Sequence, residues 1–235
     1  MNKITILGIG FDALSFPQAL GRCTELVRSG GYAVTPNPEI LMAARGNGEL
    51  KRALDGAALT VADGAGVVLA SKLLKTPLPA KLPGIELAEA LIAELAKSSG
   101  RVYLFGAKPG VAELAAEKLT AKYPGLIICG CSGGYGYDED AVMRGIRASQ
   151  PNLVLVCLGS PKQELFMEKL KPEGYLAIGL GGSLDVFSGT SKRAPEFWRK
   201  LNLEWLWRIV TLKRFGRLLT ILKFVLIILF RRKET

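Results

Sequence analysis

The hydrophobic and polar positions of this chain follow two alternating periods. Short apolar runs of strand length are followed by longer segments in which apolar residues recur at helical spacing. The strand-like runs cover residues 3–9, 32–35, 58–62, 101–105, 126–131, 152–158 and 175–180. The helix-like segments cover residues 16–28, 40–54, 66–74, 86–97, 111–122 and 139–148, with another helix after Pro161. This alternation predicts an α/β protein with a Rossmann-like layered fold around a central, mainly parallel sheet.

Polar side chains follow three of the predicted strands. Thr35 and Asn37 end the second strand, Asp63 ends the third, and Gln163 falls in the first turn of the helix after the run 152–158. That last run is almost continuous Leu and Val, which indicates burial on both faces and hence a parallel sheet. Because ligands bind at the carboxyl ends of parallel strands, we predict that these side chains converge on one binding edge.

Each of these residues also has a purely structural interpretation. Asp63 could act as a general base or could cap the helix that follows Gly64. Asn37 lies between two prolines, either as a rigid polar group facing a ligand or as another helix cap. At Gln163 the alternative is helix-start chemistry, with Ser160 as the cap and Pro161 in the first turn.

The composition limits which side chains can take part in catalysis and indicates the cellular compartment. The chain has 235 residues, of which 49% are hydrophobic, enough for one large or two small domains with a real core. Histidine is absent, so any proton transfer falls to Asp, Glu, Lys, Tyr or Cys. The four cysteines form no C-x-x-C pair, and the first residues form a strand instead of a signal peptide. We therefore expect a cytoplasmic protein with reduced thiols.

Two sequence motifs bear on nucleotide binding. Residues 8–13 spell G-x-G-x-x-A, a loose dinucleotide fingerprint, but no acidic residue ends a second strand about twenty residues later. We interpret these glycines as a tight strand-to-helix turn and keep an NAD-type nucleotide-binding protein as an alternative. The loop of a P-loop ATPase is missing from the sequence.

The last part of the chain differs from the rest. Residues 191–235 hold 12 Lys and Arg against three acidic residues, whereas the remainder is nearly neutral. All three tryptophans lie between residues 198 and 207, and the apolar run 218–230 is too short to span a membrane. We predict an α/β core at 1–192 and a helical, membrane-interfacial appendage at 193–235, which meets the membrane surface through residues 198–233. The alternatives are a terminal helix packed on the core or in an oligomer interface, and a non-catalytic membrane-surface module. Nucleic-acid binding is not expected.

Taken together, the motifs resemble the WecG/TagA/CpsF family of glycosyltransferases, glycosyltransferase family 26. The matching segments lie at residues 35–39, 62–68, 79–84, 158–164, 181–185, 193–195 and 203–208. The resemblance implies an α/β enzyme that transfers N-acetylmannosamine, or a related sugar, from a UDP-sugar donor. It implies an acceptor in which N-acetylglucosamine is linked to a polyprenyl diphosphate, and a setting in teichoic-acid linkage-unit or related cell-surface polysaccharide synthesis. The resemblance also implies a peripheral location on the inner face of the cell membrane. It leaves open whether the protein forms a homo-oligomer.

The same resemblance assigns roles to individual residues. Asp63 matches the catalytic base. The positions expected to bind substrate are Thr35, Asn37, Gln163, Lys81, Gly84 and Arg193. Three arginines of the tail are expected to close over the diphosphate: Arg208, Arg214 and Arg217. Lys81 departs from the family, in which arginine is common at this position, and a lysine lacks the bidentate fork of arginine.

The implied chemistry needs a carboxylate to accept the proton of the attacking hydroxyl, and cations to stabilise the departing diphosphate. Lys81, the tail arginines or a helix N-terminus could supply that positive potential. We assign no D-x-D motif to a metal-dependent nucleotide-sugar site. The expectation is an inverting, metal-independent transfer without a cofactor.

Overall fold

A computed structural model of the protein describes residues 3–211 and 216–232. Its strands are β1 (Lys3–Ile6), β2 (Ile9–Asp12), β3 (Gly31–Val34), β4 (Leu59–Thr60), β5 (Arg101–Gly106), β6 (Ile127–Ser132), β7 (Leu153–Cys157) and β8 (Leu176–Gly179). The helices of the first half are α1 (Phe16–Ser29), α2 (Pro38–Ala44), α3 (Gly48–Asp55), α4 (Ala65–Leu73), α5 (Gly84–Ala96) and α6 (Val111–Lys122). Those of the second half are α7 (Glu139–Ala148), α8 (Lys162–Leu170), α9 (Ser183–Phe187), α10 (Glu196–Lys200), α11 (Glu204–Thr211) and α12 (Gly216–Arg232).

A six-stranded parallel sheet forms the centre of the fold, in the order β4-β3-β8-β7-β5-β6. Along β7, Leu153, Leu155 and Cys157 face one hydrophobic core, while Val154 and Val156 face the other. Helices α1, α5 and α6 cover the first face, and α2, α3 and α8 cover the second. The layered α/β prediction is therefore confirmed, because a strand buried on both faces carries no polar alternation.

The N-terminal segment corrects one prediction. Residues 3–9 are not one strand leading into a helix; β1 and β2 form an antiparallel hairpin whose turn is at Leu7 and Gly8. The hairpin contacts the edge of the main sheet, where Asp12 Oδ2 accepts the backbone N–H of Thr60 at 2.9 Å. The glycines at 8 and 10 thus lack the strand-to-helix context of a dinucleotide fingerprint.

A second correction concerns the predicted helix at 40–54. Two helices stand there, because the chain leaves helical geometry around Asn47, where φ is −133°. The Asn47 side chain then accepts the N–H of Leu50 at 2.9 Å and starts α3. The periodicity of apolar residues continues through the break, so the pattern alone did not reveal it.

The final helix packs on the core through one face. Phe224 and Ile228 of α12 are each only 1% exposed and belong to the core that also contains residues of α2 and α4. The opposite face carries exposed apolar side chains at three- or four-residue spacing, namely Leu219, Leu222, Leu226 and Phe230. The 17 residues of α12 would extend about 25 Å, against a hydrocarbon core of about 30 Å. Within the described ranges, no helix is long and apolar enough to cross a membrane.

Candidate active site

Asp63 lies at the carboxyl edge of the sheet, and backbone hydrogen bonds hold its segment on two sides. On one side, the N–H of Asp63 donates to the carbonyl of Pro36 at 3.2 Å, which extends the pairing of β3 and β4. On the other side, the N–H of Leu82 donates to the carbonyl of Ala62 at 2.9 Å. The segment therefore lies between the end of β3 and the proline-rich loop (residues 75–83). The N-cap position of α4 is Gly64, with no side-chain cap hydrogen bond there.

Thr35 connects this segment to the next strand. It is 8% exposed, and its hydroxyl donates to the carbonyl of Gly179 at the end of β8, at 3.1 Å. Asn37 has the capping role that was one of its two interpretations, because its Oδ1 accepts the N–H of Ile40 at 3.0 Å. That bond uses the oxygen of the Asn37 side chain, so its NH2 group remains as the donor for a ligand.

Gln163 approaches the same strand end from β7. Its Oε1 accepts the N–H of Gly181 at 2.8 Å, and its Nε2 donates to Oε1 of Glu164 at 2.9 Å. A Cβ placed on Gly179 would come within 3.0 Å of Nε2 of Gln163, so this glycine permits the close approach. The alternative interpretation, with Ser160 as the cap, does not hold, because Pro161 occupies the N-cap position of α8.

Gly84 provides a second close approach. It is the first residue of α5 and is buried against Thr35. A Cβ at Gly84 would lie 2.9 Å from Cγ2 of Thr35 and 3.0 Å from Cδ2 of Leu180. The structure therefore brings Thr35, Asp63 and Gln163, each of which follows a strand, to the same edge of the sheet. Gly84, at the start of α5, packs against Thr35.

Two predicted cations contact other residues of the protein. Nζ of Lys81 donates to Oδ1 of Asn202 at 2.9 Å, which joins the proline-rich loop to the turn between α10 and α11. Nη2 of Arg193 lies 2.5 Å from Oε1 of Glu86. Asn202 is neutral and Glu86 is acidic, so the contact neutralises the charge of Arg193 but not that of Lys81.

The three arginines predicted to bind the diphosphate are only partly described. Arg214 lies outside the described residues. Arg208 is in α11 and Arg217 is in α12, but their side chains are also outside the described part of the structure. Their proposed contacts with the diphosphate remain predictions from the sequence.

Glu164 is the residue that the sequence analysis missed. It is 1% exposed, and burial raises the pKa of its carboxyl, although the hydrogen bond from Gln163 lowers that pKa by less. Its Oε2 atom is buried without a hydrogen-bond partner among the described residues. A signal was present in the sequence, because Gln163 and Glu164 are in helical phase with the buried Phe166, Met167 and Leu170.

The thiols do not provide an alternative nucleophile. Burial raises the pKa of Cys131 to about 11 and that of Cys157 to about 12, so both stay protonated near neutral pH. The cysteines at 23, 129, 131 and 157 are all free, as predicted.

A cleft of about 520 Å³ opens at the carboxyl ends of β5 and β6, at the opposite end of the strand order from β4 and Asp63. The cleft is lined by Pro109, Gly110, Glu113, Cys131, Ser132, Gly133, Tyr135, Tyr137, Asp138, Ala141 and Val142. Tyr135 is 67% exposed and offers an aromatic face to solvent.

Asp138 begins a triplet, Asp138-Glu139-Asp140, that does have D-x-D spacing. In the structure Oδ1 of Asp138 accepts the N–H of Ala141 as the cap of α7, at 3.1 Å. Glu139 pairs with Lys169 at 2.8 Å. Two of the three carboxylates thus have partners within the protein, and in the parts of the chain that the structure describes no group of three or more acidic or cysteine side chains could hold a metal ion.

Comparison with known proteins shows the family of the chain. The model of the glycosyl transferase WecG/TagA/CpsF family matches residues 4–235, so the chain belongs to this family of glycosyltransferases. One relative, from Bacillus spizizenii, is 40% identical over 204 residues, covering 85% of this chain and 79% of the relative. Another, from Staphylococcus aureus, is 35% identical over 226 residues, covering 93% of this chain and 89% of the relative. Both are named N-acetylglucosaminyldiphosphoundecaprenol N-acetyl-β-D-mannosaminyltransferase.

Proposed function

We propose that this protein transfers N-acetylmannosamine, or a closely related sugar, from a UDP-sugar to N-acetylglucosamine on a polyprenyl diphosphate. Family membership gives the reaction type, and the relatives' names give the sugar and the acceptor. The observation that carries the proposal is the position of Asp63, held at the sheet edge beside Thr35 and near Gln163. Teichoic-acid linkage-unit synthesis, or a related cell-surface polysaccharide pathway, is the proposed setting.

In the proposed mechanism, the carboxylate of Asp63 accepts the proton of the acceptor hydroxyl while that oxygen attacks the anomeric carbon. The new glycosidic bond forms as the bond from the anomeric carbon to the diphosphate breaks, and UDP leaves with the bonding electrons. Attack from the face opposite UDP inverts the anomeric centre.

Positive charge near the departing diphosphate would lower the barrier further. Lys81 is the best-supported cation, because its contact with Asn202 leaves its charge unneutralised. Arg193 would first have to exchange Glu86 for the substrate, and Arg208, Arg214 and Arg217 would come from the tail. We propose a metal-independent reaction, for which the expected result is an unchanged rate in the presence of EDTA.

We also propose that the tail binds the cytoplasmic membrane surface peripherally, through residues 198–233. The exposed stripe on α12, with Leu219, Leu222 and Phe230, supports this, since isolated apolar stripes of this kind suit an interface. The membrane would bring the lipid-linked acceptor to the edge that holds Asp63.

The test is a transfer assay with a panel of UDP-sugars and a polyprenyl-diphosphate N-acetylglucosamine acceptor in vesicles. Asp63→Asn removes the base but preserves the shape, and we expect kcat to fall by about 10²-fold or more with the fold intact. Asp55→Asn is the matched control, because Asp55 is 44% exposed at the end of α3, before β4 begins, whereas Asp63 follows the carboxyl end of β4. An Asp63→Asn enzyme with the rate of the control would refute the role of Asp63.

A further inference from the structure

The amide of Gln163 is fixed in orientation by its two partners. The backbone N–H of Gly181 can only donate, so the atom facing it at 2.8 Å is the amide oxygen. The amide nitrogen then faces Oε1 of Glu164 at 2.9 Å. With the side chain only 3% exposed, little water is available to replace either partner. One of the two protons on Nε2 stays available for another acceptor.

The position of that nitrogen relates it to the rest of the site. It lies so close to Gly179 that a Cβ there would come within 3.0 Å. The carbonyl of the same Gly179 accepts the hydroxyl of Thr35 at 3.1 Å. Rotating the Gln163 amide by half a turn would set its nitrogen against the donor of Gly181 and its oxygen against the acceptor Oε1 of Glu164, so both hydrogen bonds would be lost.

The side chain of Glu164 is poorly suited to stabilising the fold. A buried carboxyl with an unpartnered oxygen costs free energy, and an apolar residue of similar size usually fits such a position at equal or better stability. Burial raises the pKa of Glu164, which favours the neutral acid, and only part of this rise is offset by Gln163 and the nearby Ser160. The hydrogen bond to Gln163 is thus the interaction that best explains an acidic residue at this position.

We propose that Glu164 is a positioning residue for glycosyl transfer: it holds the Gln163 amide so that its nitrogen faces the strand end where Thr35 and Gly179 meet. This rests on the proposed function in one respect, namely that Gln163 contributes to the transfer site. Glu164 acts through Gln163, and needs an acceptor oxygen but no negative charge.

The proposal distinguishes two substitutions at residue 164. Glu164→Gln keeps an acceptor oxygen toward Gln163, so we expect kcat within about threefold of the unmodified enzyme. Glu164→Met has similar volume but no acceptor, so the Gln163 amide is released and we expect kcat to fall about 10-fold or more. The Met variant should unfold at an equal or higher denaturant concentration, because it removes a buried acid.

A double-mutant cycle with Gln163→Leu completes the experiment. If Glu164 acts through Gln163, adding Glu164→Met to the Gln163→Leu enzyme will cost no further activity. Additive losses, or a Glu164→Met enzyme with the full rate, would overturn the proposal. A Glu164→Met protein that fails to fold would also count against it, because the carboxyl would then be required by the fold.

A measurement independent of activity separates this proposal from the proposed function. The side-chain amide protons of Gln163, observed by ¹⁵N NMR in the full-length protein, should exchange with solvent faster in Glu164→Met than in Glu164→Gln. If the unmodified protein shows no transfer from any UDP-sugar, the proposed function fails while this comparison still tests Glu164. Equal exchange in the two variants would refute the positioning role even in an active enzyme.

Discussion

Gly84→Ala tests the close packing behind the site with the smallest possible change, a single methyl group. The new Cβ would lie 2.9 Å from Cγ2 and 3.1 Å from the hydroxyl of Thr35, and 3.0 Å from Cδ2 of Leu180. Apolar carbon atoms prefer about 3.5 to 4.0 Å, so these neighbours must move by about 0.5 Å or more. Thr35 cannot move without disturbing its hydrogen bond to the carbonyl of Gly179.

Two opposing contributions set the expected change in the free energy of unfolding. Overpacking a buried position costs about 1 to 3 kcal/mol, while replacing glycine by alanine in a helix recovers up to about 1 kcal/mol. The expected net loss of stability is about 1 to 2 kcal/mol. For a chain of 235 residues this corresponds to a fall in Tm of roughly 2 to 8 °C. The displaced Thr35 should also lower kcat/KM about 10-fold or more.

Gly48→Ala is a matched control, because Gly48 is likewise the first residue of its helix and a Cβ there meets nothing within 4 Å. Both variants gain the same contribution from the higher helix propensity of alanine. The difference in stability between them therefore isolates the contact with Thr35 and Leu180. Thermal unfolding and the transfer assay are measured on both. If Gly84→Ala matches Gly48→Ala in Tm and in kcat/KM, the close packing inferred at this position is wrong.

The remaining predictions concern Glu164 and α12. The pKa of Glu164 is raised above its ordinary value of 4.5, so the folded state binds more protons than the unfolded state between 4.5 and the raised value. The contribution of Glu164 to the free energy of unfolding therefore falls as pH rises through this window. In denaturant titrations, the free energy of unfolding of Glu164→Gln relative to that of the unmodified protein should increase from pH 4.5 toward neutrality. A constant difference would contradict the raised pKa. On α12, Phe224→Ala removes a side chain that is 1% exposed and should weaken docking by about 3 kcal/mol, seen as faster amide exchange in the helix. Leu222→Ala, at a position 51% exposed, should leave that exchange unchanged and weaken binding to anionic vesicles, and the reverse pattern would show that the two faces were assigned wrongly.

The site residues Thr35, Asp63 and Gln163 could be located from the sequence for a simple reason. Each follows an apolar run, and in a parallel sheet all such positions reach one edge whatever the strand order. Their grouping was therefore predictable. The helix break near Asn47 and the hairpin at Gly8 were not, because apolar periodicity is the same on both sides of a short interruption.

The sequence by itself determined the six strands of the main sheet, which edge of that sheet carries the polar groups, and that Asp63 is a carboxylate at that edge. Only the tertiary structure decided which strands are neighbours. Thr35 contacts Gly179 although 144 residues separate them, because β8 inserts between β3 and β7, a pairing that no local pattern encodes. The same packing buried Glu164 beside Gln163 and placed Phe224 in the core while Leu222 stays exposed. Burial depends on what covers a residue from elsewhere in the chain, which is why the position of Asp63 at the sheet edge was predictable from the sequence and the burial of Glu164 was not.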